Sequence, residues 1–116
     1  MNIEELKKAG INYEDGIKRF AYKAEIYNKY LINFFDDPTF FQLGDYLKEQ
    51  NYIEAFKCAH TLKGVSGNLS MDDFYQCVCI LVEALRNNQT DNINQIYNNL
   101  LIIYKKAEKT IKQFEN

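Results

Sequence analysis

The residue with the most evident chemistry in this sequence is its one histidine, His60. When the surrounding residues are placed at 100° intervals on a helix, the small and apolar ones occupy an arc of roughly 120°, and His60 lies roughly 160° from its centre. The residues of that arc are Ala55, Cys58, Ala59, Leu62, Val65, Ser66 and Leu69. The pattern predicts a helix that is buried on one face and directs the imidazole of His60 to solvent from the other.

Two glycines and a lysine share the outer face with His60. Gly64 and Gly67 each cost about 1 kcal/mol relative to alanine inside a helix, so their presence indicates a purpose. Helical side chains lean toward the amino terminus, and therefore any side chain at position 64 would overhang the imidazole. Gly67 would clear the approach one turn further on. Lys63, three residues after His60, can bring its ammonium within a few Å of a group attached to the ring.

This arrangement suits phosphoryl transfer. An imidazole is largely neutral near pH 7 and can act as a nucleophile. Phosphoryl transfer requires mostly positioning and neutralisation of the phosphoryl oxygens, and Lys63 is placed for the second task. The chain has no glycine-rich phosphate loop or nucleotide-binding pattern, so we expect that it does not use ATP and is not an enzyme in its own right.

The elements that must position His60 are helices. One proline and five glycines leave few turns for a β-rich fold. Capping residues and apolar spacing predict helices over residues 3–9, 13–22, 23–35, 38–49, 51–68, 71–87 and 91–114. We predict an all-α, antiparallel four-helix bundle with additional short amino-terminal helices, and one domain over residues 1–116.

Several residues mark where these helices begin and end. Side chains expected to cap amino termini are those of Asn12, Asp37, Asn51 and Ser70. Pro38 would occupy the first helical position after Asp37. Gly10 is expected to terminate the first helix.

Charge and cysteine content exclude several classes of protein. Fourteen Lys and Arg against sixteen Asp and Glu give a net charge of −2, which argues against nucleic-acid binding. No segment has the pattern of a signal peptide or reaches the ~18 apolar residues of a membrane span, so we expect a cytoplasmic location. The three cysteines are expected to be reduced core residues. Zinc is disfavoured because Cys58 and His60 diverge by about 200° on one helix.

The run from Ala59 to Leu69, A-H-T-L-K-G-V-S-G-N-L, resembles the histidine-containing phosphotransfer (HPt) domains of bacterial multistep phosphorelays. A weaker match is G-I-N-Y-E-D-G-I-K-R-F, residues 10–20, which is similar to the usual entry segment of that family. The resemblance implies a helical bundle whose exposed histidine receives a phosphoryl group from the aspartyl-phosphate of a receiver domain. The histidine then passes the group to another receiver.

By this resemblance His60 would be phosphorylated, Lys63 would be the neutralising cation and Gly64 the clearance residue. Arg86 sits where some members carry a basic residue near the phosphate, although it could equally cap the carboxyl end of its helix. Two positions depart from the family pattern. Ser70 stands where glycine is common, and Val82 or Glu83 stands where a glutamine often orients the imidazole.

The partners implied are response-regulator receiver domains and a hybrid sensor kinase, with any Mg²⁺ held by the receiver and no cofactor on this chain. We expect a monomer, either a free-standing carrier or a domain of a longer kinase. Ile53 and Phe56 also lie on the His60 side, where they either pack under the amino-terminal helices or form an apolar collar that docks a partner.

Two other functions compete with the carrier. The first is a helical binding module that docks through the His60 face without being phosphorylated, although docking alone would not require Lys63 and the clearance at Gly64. The second is an enzyme that uses His60 as a general base. The His60 face has no partnered carboxylate or cysteine that would support such an enzyme.

Overall fold

The computed structural model describes residues 1–114, and the regular structure of these residues is entirely helical. In chain order the helices are α1 (Ile3–Lys8), α2 (Tyr13–Arg19), α3 (Ala24–Phe34), α4 (Thr39–Lys48), α5 (Tyr52–Asn68), α6 (Asp72–Arg86) and α7 (Ile93–Lys112). The predicted all-α class is confirmed. Every predicted helix is present, with ends that differ by up to three residues.

Helix α5, which carries His60, packs against α4 on one side and α6 on the other. Helix α6 also packs on α7, and α3 and α4 make smaller contacts with α7. Helices α5 and α6 run antiparallel, because Phe56 near the start of α5 lies beside Arg86 at the end of α6, and Gly67 near the end of α5 lies beside Tyr75. The shorter α1 and α2 contact each other, with α1 also touching α7 and α2 touching α3.

Aromatic rings from four helices form the centre of the core. Phe40 of α4 stacks on Tyr104 of α7 with ring centroids 4.0 Å apart and an interplanar angle of 8°. Phe34 of α3 meets Phe74 of α6 edge to face at 5.3 Å. These four side chains are buried, and they hold helices distant in sequence against one another through apolar and ring–ring contact.

Of the four predicted caps, two are confirmed. The side-chain oxygens of Asn12 and Asn51 accept backbone N–H bonds at the starts of α2 and α5. Asp37 accepts the N–H of Thr39 at 2.8 Å, but the capping residue of α4 is Pro38 and the helix begins at Thr39. Ser70 does not cap α6.

The position before α6 is built differently from the prediction. Met71 is the capping residue of α6, and no side chain bonds to the first turn. Ser70 instead has a left-handed backbone with φ +54, and its hydroxyl donates to Asp15 Oδ2 at 2.6 Å. Left-handed residues also end α2 early, because Ala21 and Tyr22 have φ values of 54° and 63° where the prediction continued the helix.

The cysteines are free, as expected, but none is fully buried. Cys58 and Cys77 pack against the edge of the core. Their partial burial raises the pKa of both thiols, with the charge of Glu54 adding to the effect at Cys58. These thiols are therefore poor nucleophiles near neutral pH.

Replacing Gly16 by alanine should lower the free energy of unfolding by about 2 kcal/mol, because a Cβ at this position would overlap the ring of Tyr27. Tyr27 is fully buried and its hydroxyl donates to the carbonyl of Leu69 at 2.7 Å, so the ring cannot move aside without losing that bond. Urea unfolding measures the change. Gly64→Ala is the matched control, since a Cβ there meets nothing within 4 Å and should stabilise the helix. Equal loss of stability in both variants would contradict the described packing of α2 on α3.

Candidate functional site

His60 lies at the surface of the protein, on the face of α5 opposite its core residues. Ala59 and Leu62, its near neighbours in sequence, are buried, whereas the imidazole is exposed. The ring has one aromatic neighbour, Phe56, with ring centroids 5.9 Å apart and planes tilted by 35°. Within residues 1–114 the imidazole makes no side-chain hydrogen bond or ion pair. Both ring nitrogens are therefore open to a reaction partner.

An open depression of about 480 Å³ lies beside His60, and three helices contribute to its wall. Helix α2 supplies Arg19, α5 supplies His60, Lys63, Gly64 and Gly67, and α6 supplies Asp72 and Tyr75. Three of the residues singled out from the sequence, Lys63, Gly64 and Gly67, thus share one concave surface with the histidine. The depression carries two cationic side chains and one carboxylate, so it is suited to an anion.

The two glycines of this surface have different physical roles. A Cβ added to Gly64 would meet nothing within 4 Å, so the space above it is open. A Cβ added to Gly67 would lie 3.0 Å from Cε1 of Tyr75, tighter than ordinary contact. Gly64 therefore leaves room next to His60 for an incoming group. Gly67 lets the Tyr75 ring approach α5 and form a wall of the depression.

Lys63 is half-buried on the rim of the depression. Its ammonium has no ion-pair or hydrogen-bond partner among the described residues, whereas Lys57 on the same helix pairs with Glu54 at 3.3 Å. Lys63 can therefore neutralise an anion bound beside His60 without first breaking an existing pair. The hydroxyl of Ser66 donates to the Lys63 carbonyl at 3.3 Å, so this serine bonds to its own backbone, as its core-facing position suggests.

Arg19 is the site residue that the sequence reasoning missed. Its Nε donates to Asp15 Oδ2 at 2.8 Å, and the same carboxylate oxygen accepts the Ser70 hydroxyl. The hydrogen bond from Ser70 and, to a smaller extent, the one from Arg19 lower the pKa of Asp15. The available signal was the segment of residues 10–20, which ends in K-R-F. Spacing within that segment could not show that α2 lies beside the His60 helix.

Arg86 does not line this depression. Its guanidinium lies over the ring of Phe56, 5.7 Å from the centroid, and it forms an ion pair with Glu83. Phe56 therefore contacts both Arg86 and His60. The expected role of Arg86 near a phosphate on the ring stays a prediction.

The remaining residues near His60 divide between core and surface. Ile53 is 75% exposed, and Phe56 is half-buried against the edge of the core. Val82 is buried and Glu83 is paired with Arg86, so neither of them bonds to the imidazole. The ring contact of His60 among the described residues is with Phe56.

Broader comparisons do not assign this chain to a family. No family model, curated protein or solved structure matches it. Residues 1–114 contain no cluster of three metal-ligating side chains and no helix long and apolar enough to cross a membrane.

Proposed function

We propose that this protein is a histidine phosphotransfer carrier, in which His60 takes a phosphoryl group from the aspartyl-phosphate of one receiver domain and passes it to another. The observation that carries the proposal is an exposed imidazole without a hydrogen-bond partner in residues 1–114, next to the open space at Gly64 and a lysine without a counter-ion in the same residues. A histidine with a structural role would be expected to use at least one ring nitrogen in a hydrogen bond.

The transfer step needs no proton acceptor on this chain. A ring nitrogen of neutral His60 donates its lone pair to phosphorus, and the bond between phosphorus and the aspartyl oxygen breaks. The receiver regains its carboxylate, while the other ring nitrogen keeps its proton, giving a phosphorylated imidazolium. Lys63 offsets the charge of the phosphoryl oxygens during this step. Reversal of the same step loads the next receiver.

The wider architecture belongs to the same proposal. Helices α4 to α7 would form the antiparallel four-helix bundle, with α1 to α3 covering one side, in a single domain over residues 1–116. The carrier would act as a cytoplasmic monomer with no nucleotide or resident metal. Receiver domains, and a hybrid sensor kinase as the upstream source, would dock transiently around His60 and bring any Mg²⁺ with them.

The proposal is tested by incubating the full chain with a panel of phosphorylated receiver domains. We expect one phosphoryl group per chain, stable in alkali and labile in acid, which is the behaviour of a phosphorus–nitrogen bond at histidine. Peptide mapping by mass spectrometry should place the group at His60. Stable receiver binding without uptake would favour the non-phosphorylated docking module, and neither binding nor uptake by any receiver would contradict both functions.

Lys63→Ala should slow phosphoryl transfer about fivefold, because an ammonium near the phosphoryl oxygens lowers the barrier by ~1 kcal/mol. Receiver affinity should change less, since the interaction strengthens as charge develops in the transition state. Rapid-quench transfer assays and binding titrations separate the two quantities. Lys57→Ala, which removes a lysine already paired with Glu54 on the same helix, is the control. An undiminished rate in Lys63→Ala would remove this lysine from the chemistry.

A further inference from the structure

We infer that Arg19 is a second phosphate-binding cation of the His60 site, held in place by Ser70 acting through Asp15; this inference rests on the proposed function. Arg19 is the last residue of α2 and lines the depression. It shares that surface with His60 and Lys63. A phosphoryl group on the imidazole would therefore face two positive charges from different helices, a lysine of α5 and an arginine of α2.

The way Arg19 is held leaves its binding edge available. The bond to Asp15 uses Nε, and within residues 1–114 the two terminal nitrogens form no hydrogen bond or ion pair. A guanidinium presents its donors in a planar fork, which matches the oxygens of a phosphoryl group. Arg19 can thus keep its bond to Asp15 while its terminal nitrogens contact a phosphate.

Ser70 explains why Asp15 is fixed. Its backbone has φ +54, a conformation that costs roughly 1–2 kcal/mol for a residue other than glycine. The residue is 2% exposed, and its hydroxyl donates to Asp15 Oδ2 at 2.6 Å. Glycine would avoid the backbone cost but could not make this bond. The serine therefore joins the turn between α5 and α6 to the carboxylate that positions Arg19.

The opposing charge near Arg19 is Asp72, which lines the same depression. Partial burial and, to a smaller extent, the charges of Asp15 and Asp73 raise the pKa of the Asp72 carboxyl. Asp15 is already engaged by Ser70 and Arg19, so Asp72 is the carboxylate that a bound phosphoryl group would face. Asp15 and Asp72 together match the charges of Arg19 and Lys63, so a phosphoryl group would be bound through the placement of the two cations and not through an excess of positive charge.

The test uses the full chain and a receiver that loads it, with Arg19→Gln compared against Lys18→Gln. Both variants remove one positive charge from the end of α2, but Lys18 does not line the depression. We expect Arg19→Gln to slow transfer to His60 about fivefold, Arg19→Lys to recover part of the rate, and Lys18→Gln to stay within twofold of the unmodified chain. The ³¹P resonance of phosphorylated His60 should shift in Arg19→Gln alone, which loss of a structural contact far from the phosphate would not cause.

Ser70→Gly tests the positioning step without introducing backbone strain. It should slow transfer two- to threefold in the unmodified chain and have no further effect in the Arg19→Gln background, because its influence passes through Arg19. Equal transfer rates and ³¹P shifts in Arg19→Gln and Lys18→Gln would overturn the inference while leaving the carrier function intact. Absence of phosphoryl uptake by the unmodified chain would overturn the carrier function, and this inference with it.

Discussion

Replacing His60 by glutamine should abolish phosphoryl uptake from every receiver that loads the unmodified chain. The chain has no second histidine, so no other imidazole can accept the phosphoryl group. Glutamine keeps a polar side chain at a surface position, and the ring's one aromatic contact, at Phe56, is on the edge of the core. We therefore expect the free energy of unfolding to change by less than about 0.5 kcal/mol.

The measurement is transfer of radiolabelled phosphate from a receiver domain, followed by acid and alkali treatment of the product. Circular dichroism and thermal unfolding of the variant provide the control for folding. Residual label in folded His60→Gln that is stable in alkali and labile in acid would show that His60 is not the acceptor. Label stable in acid would indicate an ester on a hydroxyl side chain instead, which the carrier function does not predict.

Replacing Gly64 by glutamine should slow transfer at least tenfold, equivalent to ~1.4 kcal/mol of barrier. The side chain at this position leans back toward His60, one turn earlier on α5, and a long side chain would occupy the space through which the receiver's phosphoryl group approaches. The helical backbone should remain intact. Glutamine is a better helix former than glycine by several tenths of a kcal/mol, so the variant should be slightly more stable.

Gly64→Ala is the control that separates steric blocking from backbone effects. A Cβ at this position meets nothing within 4 Å, so the expectation that any side chain here would overhang the imidazole is wrong for a methyl group. Alanine should therefore raise stability by up to about 1 kcal/mol while transfer remains within twofold of the unmodified rate. Equal transfer rates in the alanine and glutamine variants, whether both are unchanged or both are slowed, would contradict the clearance argument.

Helix content and the outward face of α5 follow from local patterns in the sequence. Apolar residues at three- and four-residue intervals, together with the caps at Asn12 and Asn51, are properties of adjacent turns. The same periodicity places His60 opposite Ala59 and Leu62, and the structure has these residues buried and the imidazole exposed, although Val65 of the predicted buried arc is 40% exposed. These features need no knowledge of which helices become neighbours.

The cap predicted at Ser70 was wrong for a reason that lies outside its own segment. Serine before a helix is ordinarily a capping residue, but here its hydroxyl donates a hydrogen bond to Asp15, fifty-five residues earlier in the chain. The same contact sets the position of Arg19. Arg86 was placed near the phosphate by the family resemblance, and the packing of α6 on α5 brings its guanidinium over the ring of Phe56, which also contacts His60.

Periodicity and composition were sufficient to establish the helices, the exposed histidine, and the lysine and glycine that accompany it, because these relations extend over no more than two helical turns. The approach of α2 and α6 to α5, which brings Arg19 and Tyr75 to the same depression as His60, arose only from packing. Contacts between helices depend on the fit of side chains distant in the chain, such as Tyr97 against Gly44 and Tyr104 against Phe40. No local pattern contains that fit, since each partner alone has many places where it could pack.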